Sequence, residues 1–225
     1  AGSDRGRSAS EGRRGVAVNA DPMHVSLGYF SRATRAMGPG LRACVWVRGC
    51  SINCSGCATP ELIPSQPADG AAEVIPVGQL VARIAEAHAA FGLEGVSFSG
   101  GEPFEQARAL AYVADTLRAV GLSTLAWSGY TRAHLEGPKA PPGARDLLDA
   151  LDVLIDGPFR RDRVATGGPH RGSGNQVIHL LTGRYSMEAF ATTHLEVALG
   201  DDGARVTGVT NYRALETVLR ILGVS

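Results

Sequence analysis

Cysteine is scarce in this chain, four residues in 225, and three of the four fall within the eight positions from Cys50 to Cys57. So few thiols, so unevenly placed, do not make the disulfide framework of a secreted domain; they read as a metal site in a reducing compartment. Net charge is absent as well, 22 Lys and Arg balancing 22 Asp and Glu. Bulk electrostatics therefore gives no reason to expect nucleic acid or an anionic membrane as a partner. No apolar run approaches the roughly 18 residues that span a bilayer, and no hydrophobic leader opens the chain. We expect a cytoplasmic protein with no membrane partner. What is present is length enough for one ordinary domain with a real core.

The opening residues "AGSDRGRSASEGRRG" are Gly, Ser and Arg without apolar periodicity, so residues 1–26 are read as a disordered or irregular tail. From "LRACVWV" (41–47) onward, short apolar runs alternate with helical patterns, the signature of a βα-repeating domain with a mainly parallel sheet. Helices are expected over 78–91, with Leu80, Ile84, Ala87 and Phe91 inward, and over 104–121, with Phe104, Leu110, Val113, Leu117 and Val120 inward. Strands are expected at 94–99, 122–127, 151–157 and 175–181, with a Pro- and Gly-rich connection at 136–143. The last forty residues change character: 194–209 predicts a hairpin turning about Asp201, Asp202 and Gly203, and 211–222 an amphipathic closing helix.

The spacing Cys50-x3-Cys54-x2-Cys57 follows the first of these strands directly. A cubane iron–sulfur cluster offers four iron corners to thiolates. Three nearby thiolates hold three corners and leave one iron open, and an open coordination position separates chemistry from structural support. The small residues Gly49, Ser55 and Gly56 let the backbone wrap closely around such a cluster. The alternative is a structural zinc or a closed four-thiolate cluster with Cys44 as the fourth ligand, although Cys44 lies in a predicted strand as a small hydrophobe.

With "SFSGGEPF" (97–104) placed just after the second strand, the chain resembles the radical S-adenosylmethionine (SAM) superfamily. "GPGLRACVWVRGCSINCSGC" (38–57), "WSGYT" (127–131), "DVLIDGPF" (152–159) and "RGSGNQVI" (171–178), in that order, are similar to the activases of glycyl-radical enzymes, of the anaerobic ribonucleotide reductase type. The resemblance implies an α/β fold, a partial (β/α)6 TIM-like barrel over 27–182, with residues 183–225 as a small hairpin-plus-helix appendage. It implies a [4Fe-4S] cluster and SAM as cofactors. The one-electron-reduced cluster would cleave SAM to methionine and a 5'-deoxyadenosyl radical, which takes hydrogen from the substrate. The cofactor carries the hard chemistry and the protein binds, orients and excludes.

Within that frame Cys50, Cys54 and Cys57 are the metal ligands, and Gly100, Gly101, Glu102 and Pro103 border the SAM amino group. Active-site loops gather at strand carboxyl ends, which adds Ser128, Asp156 and the loop holding Arg171, Ser173 and Asn175. Glu102 and Asp156 are the catalytic candidates. Read without the family, Asp156 is an Asx-turn acceptor and the Gly-Gly-Glu-Pro stretch a strand-to-helix turn. Relatives often carry an aromatic where this chain has Gly56 and Ala58, so the adenine contact falls to Trp127 or Tyr130. His170 and His179 are conceivable ligands with no second cluster nearby, and one spare cysteine allows no auxiliary cluster. The implied partners are a glycyl-radical protein and a low-potential electron donor such as flavodoxin or ferredoxin. The alternatives are a small metabolite or peptide as the substrate, or a non-catalytic iron–sulfur protein.

Overall fold

The computed structural model describes residues 23–66, 73–200 and 203–209, together with 217, 220, 221 and 223. The elements are β1 (His24–Thr34), β2 (Arg42–Val47), β3 (Glu73–Pro76), α1 (Val77–Phe91), β4 (Gly95–Gly100), α2 (Ala107–Ala119) and β5 (Ser123–Ser128). They continue with α3 (Arg132–Leu135), α4 (Ala144–Asp149), β6 (Val153–Asp156), β7 (Val177–Leu180), β8 (Glu196–Gly200) and β9 (Gly203–Thr207).

Seven strands form one sheet in the order β3-β1-β2-β4-β5-β6-β7. The central four, β2, β4, β5 and β6, run parallel, while β1, β3 and β7 are antiparallel to their neighbours. The fold is thus mixed α/β with a mostly parallel centre; among the described residues the sheet stays open, and four parallel strands stand where six repeats were expected. β8 and β9 pair as the anticipated C-terminal hairpin. The helix expected over 211–222 lies largely outside the described residues.

Strands of the parallel centre bury both faces, as parallel strands must. On one side Val45, Val96, Phe98, Ala126 and Leu154 pack with Leu80 and Ile84 of α1 and Leu110, Val113 and Leu117 of α2. On the other, Cys44, Leu125, Trp127, Val153 and Ile155 form a second apolar cluster with Met37 and Phe190. Tyr185, Ala189 and Val209 pack against that cluster, so the chain beyond residue 182 covers the sheet's second face.

Two expected core residues lie at helix ends and are exposed: Phe91, shielded by Arg32 5.3 Å from its ring centroid, and Val120, past the last turn of α2. The predicted helix from 104 starts as a 3-10 turn, Pro103–Gln106, before α2 begins. Sequence reading also gave no hint of Arg42. It is fully buried and donates to Ser97, Ser123, Tyr185 and the carbonyls of Pro39, Val96 and Ser123. Burial lowers its pKa, and the dense set of acceptors is what allows the charge to stay inside.

Candidate functional site

The carboxyl ends of β2, β4 and β5 meet at a cavity of about 180 Å³. Cys50, Cys54 and Cys57 line it together with Gly100, Gly101, Glu102, Trp127, Ser128 and Phe159.

The cysteine loop is tied to its surroundings by backbone bonds. Gly49 N–H donates to Leu62 O at 2.8 Å and Cys50 N–H to Ile63 O at 3.0 Å. Glu102 N–H donates to Gly49 O at 2.8 Å, and Gly101 N–H to Val47 O at 2.8 Å, lashing the second motif to the first. Ser51 adds its N–H and hydroxyl, both donated to Glu105 Oε1. Such close approach requires glycine: a Cβ on Gly101 would lie 2.2 Å from Gly49 O, and one on Gly100, whose φ is +106°, 2.4 Å from Val47 O. Burial pushes the Cys50 and Cys54 thiols up, and backbone N–H groups oppose it, those of Asn53 and Ile52 at Cys50 and that of Phe159 at Cys54. Amides aimed at the sulfurs favour the thiolate and, with it, metal binding.

Glu102 is 1 % exposed. Its Oε1 accepts from Phe104 N–H and from the Ser128 hydroxyl, each at 2.9 Å, and its Oε2 from Gly129 N–H at 2.8 Å. Burial nonetheless raises its pKa to about 7, outweighing these donors. Pro103 is buried at the start of the 3-10 turn, as expected of a proline at N1. Trp127 lines the cavity while its indole N–H donates to His170 O at 2.9 Å. His170 is itself buried at a positive φ of 62°.

The remaining candidates sit elsewhere. Asp156 shares the helix-facing side of β6 with Leu154 and opens onto a neighbouring pocket of about 630 Å³, away from the cofactor cavity. Its carboxylate accepts from Arg132 N–H and lies 3.0 Å from His179 Nε2. The local Asx turn expected from the sequence does not form: Pro158, two residues on, has no N–H to give, and the carboxylate instead ties β6 to the start of α3. Tyr130 stacks on His134 and bonds with Glu105 and Ser51 through its hydroxyl, outside the cavity lining. Ser173 accepts from Arg160 N–H, and Asn175 Nδ2 donates to Pro158 O at 2.8 Å. The loop of Arg171, Ser173 and Asn175 therefore braces the Gly157–Arg160 segment, and of its neighbourhood Gly172 and Gln176 reach the cavity. Ile52, Phe159, Gln176 and Val209 are lining residues that sequence reading missed; the first three stood inside the quoted motifs, but nothing in their type marked them. Cys44 faces the second apolar cluster, its thiol raised well above the usual range by burial, and is no fourth ligand at this cavity.

A family profile described as a 4Fe-4S single cluster domain matches residues 36–179. Anaerobic ribonucleoside-triphosphate reductase-activating proteins from Vibrio cholerae, Pasteurella multocida and Escherichia coli are each 30% identical to the chain, over 150, 153 and 155 residues. The alignments cover 64% of this chain in all three cases, and 91%, 90% and 91% of those proteins respectively. The chain belongs to both of these families. A crystal structure of QueE from Escherichia coli superposes over 60% of this chain and 70% of that one, with a TM-score of 0.43 at 15% identity.

As a radical SAM member of the 4Fe-4S single cluster family, this enzyme takes an iron–sulfur cluster and SAM as cofactors. Its residues fit the cluster. Among the described residues no three His, Cys, Asp or Glu side chains converge where a single ion would sit. Three thiolates that share a cavity without sharing a point suit a cluster in which each binds its own iron. No helix among the described residues is long and apolar enough to cross a membrane.

Proposed function

We propose that the chain activates an anaerobic ribonucleoside-triphosphate reductase by generating a glycyl radical on it. The observation that carries this reading is the joining of three cysteines to the Gly100-Gly101-Glu102-Pro103 turn around one cavity, in a chain that covers nearly the whole length of activating proteins 30% identical to it. When bound, the cluster and SAM supply one-electron cleavage of a carbon–sulfur bond and a carbon radical able to take hydrogen.

The protein's own residues do the rest. Cys50, Cys54 and Cys57 would hold the cluster through three of its irons. Glu102, fixed by Ser128 and two backbone donors, receives the SAM ammonium group as an anion. Gly100, Gly101 and Pro103 set the turn that presents it. Trp127, Ile52 and Phe159 would give an apolar wall for the adenosyl part and exclude water from the cavity. Tyr130 and Glu105 steady the cysteine loop through Ser51, while Arg171, Ser173, Asn175 and Asp156 position the loops around the mouth. Residues 27–182 act as the catalytic core, the strands curling as a partial barrel around the cavity, and the segment after 182 closes the sheet's second face.

The test is anaerobic incubation of the reconstituted protein with SAM, a low-potential reductant and the reductase. A glycyl-radical doublet in the electron paramagnetic resonance spectrum of the reductase, absent with Cys54→Ala, is the expected result. SAM cleavage with no protein radical would assign the substrate to a small molecule or peptide instead.

A further inference from the structure

The segment after β6, from Pro158 to Arg171, carries four arginines against one aspartate in a chain of zero net charge. Arg160, Arg161, Asp162 and Arg163 are all exposed. Asp162 accepts from Arg160 Nε and Nη2, both at 3.1 Å, and that bond holds its carboxyl below the usual range. Among the described residues, Arg161 and Arg163 form no ion pair. The result is a ridge of concentrated positive charge.

Its position is specific. A Cβ on Gly56, between Cys54 and Cys57, would lie 3.4 Å from Arg161 Cδ and 3.5 Å from Phe159 Cε1. Arg161 and Arg163 do not line the cofactor cavity. Arg161 therefore rests on the outside of the cysteine loop, one glycine's width from two cluster ligands, while Arg160 and Arg163 carry the charge on toward the neighbouring pocket of about 630 Å³ that they line. A hydrogen-donating segment has to enter the cavity, whereas an electron has only to reach a ligand from outside.

We propose that Arg160, Arg161 and Arg163 are the docking surface for an acidic, low-potential electron-carrier protein. This rests on the radical SAM reading given above. One electron leaves the carrier's reduced centre, which is oxidised by one level, and passes at the Cys54–Cys57 side of the loop to the cluster, which is reduced by one; no bond forms or breaks in the step. Opposite charge on the two surfaces steers the encounter and makes it sensitive to salt.

Binding is measured first, by calorimetric titration of the oxidised, reconstituted protein with oxidised flavodoxin at about 20 and about 200 mM salt. Affinity is expected to fall at least about tenfold with salt, and at least about tenfold in the double variant Arg161→Glu, Arg163→Glu. Arg163→Glu alone, which leaves the Gly56 contact in place, should move the same way. Stopped-flow reduction by flavodoxin hydroquinone should slow by a similar factor, while reduction by photoreduced deazariboflavin, a small uncharged donor, stays unchanged. Wild-type binding and reduction in both variants would overturn the proposal. So would a variant that keeps flavodoxin binding and loses only activation of the reductase, since the ridge would then serve the protein substrate. SAM cleavage driven by deazariboflavin reports on the function separately from docking.

Discussion

Replacing Gly101 by alanine is expected to strip the cluster and lower SAM cleavage by at least about a hundredfold. The added methyl would stand 2.2 Å from Gly49 O, 2.8 Å from Gly49 C and 3.0 Å from Gly49 N. All three atoms are backbone, so no side chain can swing aside. Overpacking of this kind costs about 1–3 kcal/mol or more, and the relief available is displacement of Gly49, the residue before Cys50. That displacement also breaks the Glu102 N–H bond to Gly49 O and so separates the two cofactor motifs. Gly78→Ala is the control, because nothing lies within 4 Å of a Cβ there. In helix α1 that change should add roughly 0.5–1 kcal/mol of stability and leave turnover alone. Iron and sulfide content, with 5'-deoxyadenosine yield, checks both; a fully loaded, fully active Gly101→Ala protein would show that the two loops need not touch.

Glu102 supplies the second large effect. Its carboxyl titrates at about 7 in the folded chain against an ordinary 4.5, chiefly because burial penalises the charge. Only the ionised form attracts a cation, so SAM affinity should rise by about tenfold from pH 6 to pH 8 as the group loses its proton. Glu102→Gln removes the charge and sets an amide N–H₂ against groups that are themselves donors. Loss of one charged hydrogen bond, about 1.5–3 kcal/mol, corresponds to SAM binding weaker by roughly 10–150-fold, with no pH dependence left from this site. Stability runs the other way. A carboxyl with a raised folded pKa favours the folded state fully below pH 4.5 and ceases to do so as pH rises through about 7, a difference on the order of 3 kcal/mol in the free chain. The Gln variant should lack that slope in urea titrations across this range. A pH-independent SAM affinity in the wild type would remove Glu102 from the ammonium site.

What was legible in the sequence was whatever rests on local spacing. Three cysteines at fixed intervals after an apolar strand mark a cluster loop without any knowledge of the fold, and Gly-Gly-Glu-Pro after the next strand marks its opposite wall. Features that depend on distant partners stayed hidden. β1 was invisible because its alternation is broken by register shifts between Leu27 and Tyr29 and between Ser31 and Thr34. Asp156 looked like a site residue because it ends a strand, yet β6 lies one strand farther from the cysteine loop than β5, so its register partner Ser128 lines the cofactor cavity while Asp156 opens onto the neighbouring pocket. Phe91 and Val120 kept helical phase, but Phe91 is the last residue of α1 and Val120 lies just past α2, and both side chains are exposed. Val209 reaches the cavity only because the C-terminal hairpin folds back over the sheet's second face, where Thr193 donates to its carbonyl at 3.2 Å. The arginine ridge was written in the sequence as "RRDR", but its place against Gly56 was not.

The central claim is that three thiolates and an open iron let this chain cleave SAM. The most direct measurement is anaerobic reconstitution with iron and sulfide, addition of SAM and a low-potential reductant, and assay of 5'-deoxyadenosine for the wild type and for Cys50→Ala, Cys54→Ala and Cys57→Ala. The account predicts 5'-deoxyadenosine from the wild type alone, with an electron paramagnetic signal that changes when SAM is added. A protein that holds a full four-iron cluster and yet gives no product and no spectral response to SAM would contradict it.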